Sequence, residues 1–208
     1  MELIRYLNEH FLTREQLLAH CAIRADELQR WQACRMMPRA SYRLSLDITC
    51  ASFFGEHRQQ QVIEYYAREY VSWVGMLRQI DSEQEAYAVF ARRYRTRLDE
   101  LAASGMTYPG SFATDEHIAA EWNHFLDGTY GLCTMTGLPE EIAAKEVAIA
   151  AIRKLDADRD RPQGDANRER LRKAVDLLDE ASSPFAPHEV ARSSRRRYVD
   201  EMRRAHGL

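Results

Sequence analysis

Apolar residues recur at three- and four-residue steps along most of this chain, the period of amphipathic helices. Glu2 to His10 reads as a first short helix. Thr13 is a good N-cap for a second over Arg14 to His20, with Gln16 three residues on, as a capping box requires. Arg24 to Cys34 reads as a third, and Pro38 forbids its continuation. Residues 46 to 56 are harder to place. Asp47 to Phe54 suits a short strand or a buried turn of helix, and with no partner strand visible we expect helix or irregular chain. From His57 to Ile80, the positions Ile63, Tyr66, Tyr70, Trp73 or Val74, and Leu77 predict one long helix. After a break at Asp81-Ser82, Tyr87, Phe90, Tyr94, Leu98 and Leu101 predict a second over Glu83 to Ala103, stopped by Gly105. Together these two would form an antiparallel helical hairpin.

Thr107 to Thr114 reads as a loop, and Thr114 or Asp115 caps a shorter helix to about Asp127, with Ile118, Trp122 and Phe125 inward. Then comes G-T-Y-G-L-C-T-M-T-G, Gly128 to Gly137, which holds three of the nine glycines. Pro139, Glu140 and Glu141 open a helix to about Leu155 whose alanines (143, 144, 148, 150, 151) allow neighbours to approach closely. Asp156 to Asn167, with Pro162 and Gly164, reads as a mobile loop. Helices over Arg168 to Glu180 and His188 to about Ala205 finish the chain. The expected fold is all-α: a small helix-turn-helix-like unit, residues 1–45, packed on a helical bundle of residues 46–208 that ends in a basic helix.

Composition narrows the function classes. The chain has 208 residues, 45% hydrophobic and 29% charged, with a net charge of −3, so no overall basic field draws it to nucleic acid or anionic membrane. No apolar run approaches the roughly 20 residues of a membrane span, and the N-terminus lacks a signal-peptide pattern; we expect a cytoplasmic protein. Cys21, Cys34, Cys50 and Cys133 show no C-x-x-C spacing and read as reduced thiols.

Candidate chemistry gathers around the glycine segment. His117, Glu121 and His124 stand at i, i+4 and i+7, on one stripe beside the Ile118–Trp122–Phe125 core face. Glu121 and His124 make one E-x-x-H. A carboxylate-bridged di-iron bundle needs that pair twice, and no second one is found, so we assign no metal, and the sequence leaves the cofactor unknown. Cys133 would need a nearby cation, histidine or helix N-terminus to act as a nucleophile. The segment lacks the lysine of a phosphate loop. We therefore expect a pocket where the 115–127 helix, the glycine segment and the 57–80 helix meet. His124 would be base or ligand, Glu121 its partner, and Cys133 nucleophile or pocket wall. His117, Tyr130, Gly128 and Gly131 would contact a small molecule. The tyrosine-rich stripe Tyr65, Tyr66, Tyr70, Trp73 fits such a cavity or an interface, and it allows a homodimer.

The stretch L-T-R-E-Q-L-L-A-H-C-A-I-R-A-D-E-L-Q-R-W-Q-A-C-R-M-M-P resembles the helix-turn-helix of MerR-type regulators through Leu17, Ala19, Ile23, Leu28, Trp31 and Met36-Met37-Pro38. The departures fall where DNA would lie: Ala22 for the usual turn glycine, Gln29 for the usual arginine, and the acids Asp26 and Glu27 at the second helix's start. Affinity for DNA comes largely from neutralising phosphates, so these acids argue against a DNA reader. The motifs P-R-A-S-Y-R, S-F-F-G-E-H, Y-Y-A-R-E-Y and W-N-H-F-L-D-G-T-Y-G-L-C-T, spread over residues 38–134, resemble an uncharacterised family of small helical bacterial proteins associated with natural-product biosynthesis, over about residues 10 to 155. That resemblance implies an accessory protein or enzyme with a small-molecule ligand or substrate. A ligand-sensing regulator binding DNA through residues 13–43 and a structural interaction module are the alternatives.

Overall fold

The computed structural model describes residues 2–157 and 165–208. Helix α1 (Glu2–His10) leads into the short strand β1 (Phe11–Thr13), then α2 (Arg14–Cys21) and α3 (Ala25–Ala33). The capping box forms: the Gln16 amide donates to the Thr13 hydroxyl, and the Gln16 side chain accepts from the Thr13 amide at 2.8 Å. Ala22 ends α2 in the left-handed region (φ 48°, ψ 50°), a backbone that a side chain disfavours. Leu17, Ile23, Leu28, Trp31, Met36 and Met37 are all buried in the main core.

The all-α expectation fails over residues 42–67. Strands β2 (Tyr42–Ser52) and β3 (Gly55–Ala67) form a long antiparallel hairpin, and with β1 they make a three-stranded sheet in the order β1-β3-β2. The helix expected from His57 to Ile80 is therefore β3 followed by the much shorter α4 (Tyr70–Leu77). Two periods compete over residues 42–70. Ile63, Tyr66 and Tyr70 fit a helical stripe, yet Tyr42, Leu44, Leu46 and Ile48 alternate with Arg43, Ser45, Asp47 and Thr49, the two-residue period of a strand. Register settles the matter: Leu44 lies opposite Ile63, and Tyr42 opposite Tyr65. Position 45 falls inside β2.

The rest is helical. Helix α5 (Glu83–Ala103) is capped by Ser82, and α6 (Asp115–Leu126) by Thr114. The glycine segment contains a five-residue helix, α7 (Thr129–Cys133), followed by α8 (Pro139–Ala157) and α9 (Asp165–Ala181). Of the loop expected over 156–167, residues 158–164 lie outside the described residues, and the flanking positions are helical. The last helix is not continuous. A 3-10 turn (Val190–Arg192) and a π turn (Arg196–Asp200) precede α10 (Glu201–His206). Three of its arginines pair with acids: Arg203 meets Asp176 at 2.8 Å and Asp179 at 2.7 Å, Arg195 also pairs with Asp179, and Arg196 lies 3.7 Å from Glu201.

The main core joins the N-terminal unit to the bundle. Trp73 is fully buried, its indole N–H donates to the Met36 carbonyl at 2.9 Å, and its ring meets Phe125 edge-on at 4.9 Å. Buried Ala143, Ala144 and Val147 of α8 lie in this core, while Ala148, Ala151 and Ile152 enter a second core with α9 and the C-terminal turns. Small side chains are what let α8 serve both.

Candidate functional site

Helix α6 begins where the Thr114 hydroxyl accepts the His117 amide, so the first turn is fixed and His117 with it. One turn on, the same face carries Glu121, only 6% exposed. Across from them α8 presents Glu146, and α5 presents Tyr94. His117 Nε2 lies 2.9 Å from Glu146 Oε2 and 4.0 Å from Glu121 Oε1. The Tyr94 hydroxyl, from a fully buried side chain, donates to Glu146 Oε2 at 2.5 Å and lies 3.3 Å from His117 Nε2. On the other side the Tyr130 hydroxyl donates to Glu121. The Phe112 ring stacks on the His117 ring, with centroids 4.8 Å apart and planes at 14°.

Two carboxyl groups beside each other in a largely dry site cannot both be ionised without a cation. Burial first, and then the charge and hydrogen bond of Glu146, push the Glu121 carboxyl up to about 8. Burial, with Glu146 next to it, also holds the Tyr94 phenol in its protonated form. Glu121 is thus a carboxyl whose proton is held well above the ordinary carboxylate range, by burial first and by Glu146 second. One ligand atom from each of His117, Glu121 and Glu146 falls within 4.8 Å of the others, a spread that a divalent ion at about 2.0–2.4 Å from each donor can span.

The structure divides the expected site residues. His117, Glu121 and Tyr130 come together. His124 does not: it is exposed, with its ring edge-on to Tyr130 at 6.4 Å. It shares a stripe with His117 but sits about 10 Å further along the axis, seven residues at about 1.5 Å each, past the reach of Glu146. Cys133 is also separate. It packs half-buried against the main core, and its carbonyl accepts from the Lys145 ammonium at 2.6 Å, a lysine cap on α7.

Gly128 and Gly131 turn out to be packing positions. Gly128 has φ +81°, and a Cβ there would lie 2.8 Å from the Arg39 carbonyl oxygen and 2.9 Å from that of Ala40. A Cβ on Gly131 would overlap the Ser41 hydroxyl and come within 2.9 Å of the Tyr70 hydroxyl. The glycines let the chain before β2 and helix α4 close on α7. A cavity of about 150 Å³ does touch Gly131 and Thr134, but it opens toward Tyr6 and His10 of α1, away from Glu121.

Sequence reading missed Tyr94 and Glu146 as members of this cluster. Tyr94 carried a signal, since a tyrosine on an inward helical stripe must find a partner for its hydroxyl. Glu146 sits between buried Lys145 and Val147 on a helix otherwise lined with alanine, a polar position that nothing in the sequence ties to α6.

Residues 86–207 match the model of a family of unknown function (DUF6058), and the chain belongs to that family. The match takes in Tyr94, His117, Glu121, Tyr130 and Glu146, and it includes the C-terminal residues beyond the stretch over which the earlier resemblance was expected. No curated protein and no solved structure matches the chain.

Proposed function

We propose that this member of a family of unknown function is a cytoplasmic enzyme or accessory protein of small-molecule, natural-product biosynthesis that works through an acid–base centre at Glu121, Glu146 and His117. The observation that carries this is the buried Glu121 carboxyl lying beside a second carboxyl and an imidazole, where burial and Glu146 push its pKa up to about 8. Two carboxyl groups whose surroundings pull their ionisation apart are the arrangement by which proteins keep an acid and a base in one site. His117 and Glu146 are about one-fifth exposed, so a ligand approaches from their side, under Phe112, while Glu121 stays dry. There Glu146 or His117 takes a proton from the bound molecule, and Glu121, 4.0 Å from His117 Nε2, returns one by way of the imidazole. The three donors also suit a divalent cation, which would displace the Glu121 proton. No helix among the described residues is long and apolar enough to cross a membrane.

The test replaces the chromosomal gene in the native host with Glu121→Gln or His117→Gln and profiles its small molecules. Loss of the compounds lost on deletion is expected. A complete profile from folded, normally accumulated Glu121→Gln protein sinks the acid–base centre.

A regulator is the second reading, favoured by one observation. Residues 2–67 run helix, strand, helix, helix, strand, strand with sheet order β1-β3-β2, an order used by winged helix-turn-helix units. Charge opposes it: Asp26 and Glu27 sit in the first turn of α3, and Arg24 is bound to Asp26 at 2.6 Å. A gel shift on genomic fragments at low salt decides; retarded DNA would restore the regulator.

A further inference from the structure

The β2–β3 hairpin extends away from the body. From Gly55 to Gln61 every residue of β3 is exposed, and so are Thr49 to Ser52 of β2. Strand β1 pairs only with Tyr65 to Ala67, so residues 55–64 of β3 have β2 alone beside them, and β2 is the outer strand of the sheet along its whole length. A two-stranded ribbon of this kind is marginal in water by itself, and an open edge is a template for another strand. Phe53 and Phe54 stand at its tip, 97% and 96% exposed, with their rings packed edge to face.

The side chains of β2 specify what fits. Its even positions, Tyr42, Leu44, Leu46 and Ile48, are half-buried and mostly apolar, while Arg43, Ser45, Asp47 and Thr49 are exposed and polar. An antiparallel partner must keep apolar opposite apolar, because a slip by one residue exchanges the two faces. When a second copy of β2 pairs antiparallel about a two-fold axis at Ser45, Arg43 of each copy lies opposite Asp47 of the other, and Leu44 opposite Leu46. Tyr42 then lies opposite Ile48. Moving the axis to Asp47 sets acid against acid, and moving it to Arg43 sets arginine against arginine. The strand is self-complementary in charge about Ser45.

We propose that two copies of the chain dimerise through β2, in antiparallel register centred on Ser45, to give a continuous sheet in the order β1-β3-β2-β2-β3-β1. In this register Asp47, which already accepts from Gln60 across its own hairpin at 2.9 Å, gains the Arg43 guanidinium of the second copy. Residue 52 of one copy reaches the level of residue 38 of the other.

Sedimentation and cysteine cross-linking test this on the full chain. The wild type is expected to dimerise. Asp47→Arg, an exposed change, should weaken association about tenfold or more by setting like charges opposite one another twice. Arg43→Asp combined with Asp47→Arg should restore it. With Cys34 and Cys50 changed to serine, Ser45→Cys should form an interchain disulfide on mild oxidation. Thr49→Cys should not, since the two copies of that position would lie about 27 Å apart. A wild type that stays monomeric at high concentration overturns the proposal. So does a dimer indifferent to Asp47→Arg, or Thr49→Cys cross-linking as readily as Ser45→Cys.

Discussion

His117 on α6 and Glu146 on α8 meet at 2.9 Å, the contact that joins the two helices across the polar cluster. The Tyr94 hydroxyl reaches both partners, so the imidazole sits at the centre of a network. His117→Ala would remove one partner of Glu146 and the ring on which Phe112 stacks. We expect a loss of about 1–3 kcal/mol in urea unfolding, the cost of a half-buried polar group left with one bond fewer. His117→Gln, which keeps a hydrogen-bonding tip, should recover part of it.

Glu121 gives the fold a pH dependence of predictable sign. Its carboxyl is raised to about 8 in the folded protein against an ordinary 4.5. Between those values the folded state holds a proton that the unfolded chain has lost, so this group makes stability fall as pH rises from about 4.5 to 8. The effect is fully developed above that window and absent below it. Glu121→Gln keeps the Tyr130 partner and removes the titration. The variant should lose stability less steeply than the wild type between pH 5 and pH 9, by a margin on the order of a few kcal/mol. Parallel curves of unfolding midpoint against pH would refute the assignment.

The helices were legible where one period ruled. The ends of α1 and α5, and the Thr13–Gln16 and Thr114 caps, follow from residue types at fixed spacing. The hairpin was not, because Ile63, Tyr66 and Tyr70 satisfy a helical stripe and the partner strand lies across a turn marked only by Phe54-Gly55. At the site, α6 showed His117 and Glu121 together but also offered His124, since a sequence shows which face a side chain shares and not how far the neighbouring helix extends. Glu146 and Tyr94 reach the cluster only through the packing of α5 and α8 on α6.

Ala22 marks a local conflict between sequence and backbone. It closes α2 with φ 48°, and the carbonyls of Cys21 and Ala22 are both held by the Arg78 guanidinium. The turn is thus imposed by tertiary contacts on a residue that resists it by about 1–2 kcal/mol. Ala22→Gly should stabilise the protein by about 0.5–1 kcal/mol, after allowance for the greater freedom of glycine in the unfolded chain. Denaturant midpoints measure it, and destabilisation would show that the methyl group contributes more than the backbone strain costs.

Gly131 separates a packing role for the glycine segment from a ligand-facing one. A methyl group here would collide with the Ser41 hydroxyl and crowd the Tyr70 hydroxyl, and Tyr70 cannot retreat easily. Tyr70 is fully buried, and its ring is wedged edge-on against Phe125 at 5.9 Å. Gly131→Ala should therefore cost about 1–3 kcal/mol through overpacking. Ser41→Gly in the same chain should relieve part of that cost, giving a coupling measurable in a double-mutant cycle. Gly75 supplies the control. It is exposed within α4, with nothing within 4 Å of an added Cβ, so Gly75→Ala should stabilise by about 0.5–1 kcal/mol through helix propensity alone. A Gly131→Ala protein as stable as the wild type would mean that the segment is open at this point, and the wall of a ligand site would again be the better account of its glycines.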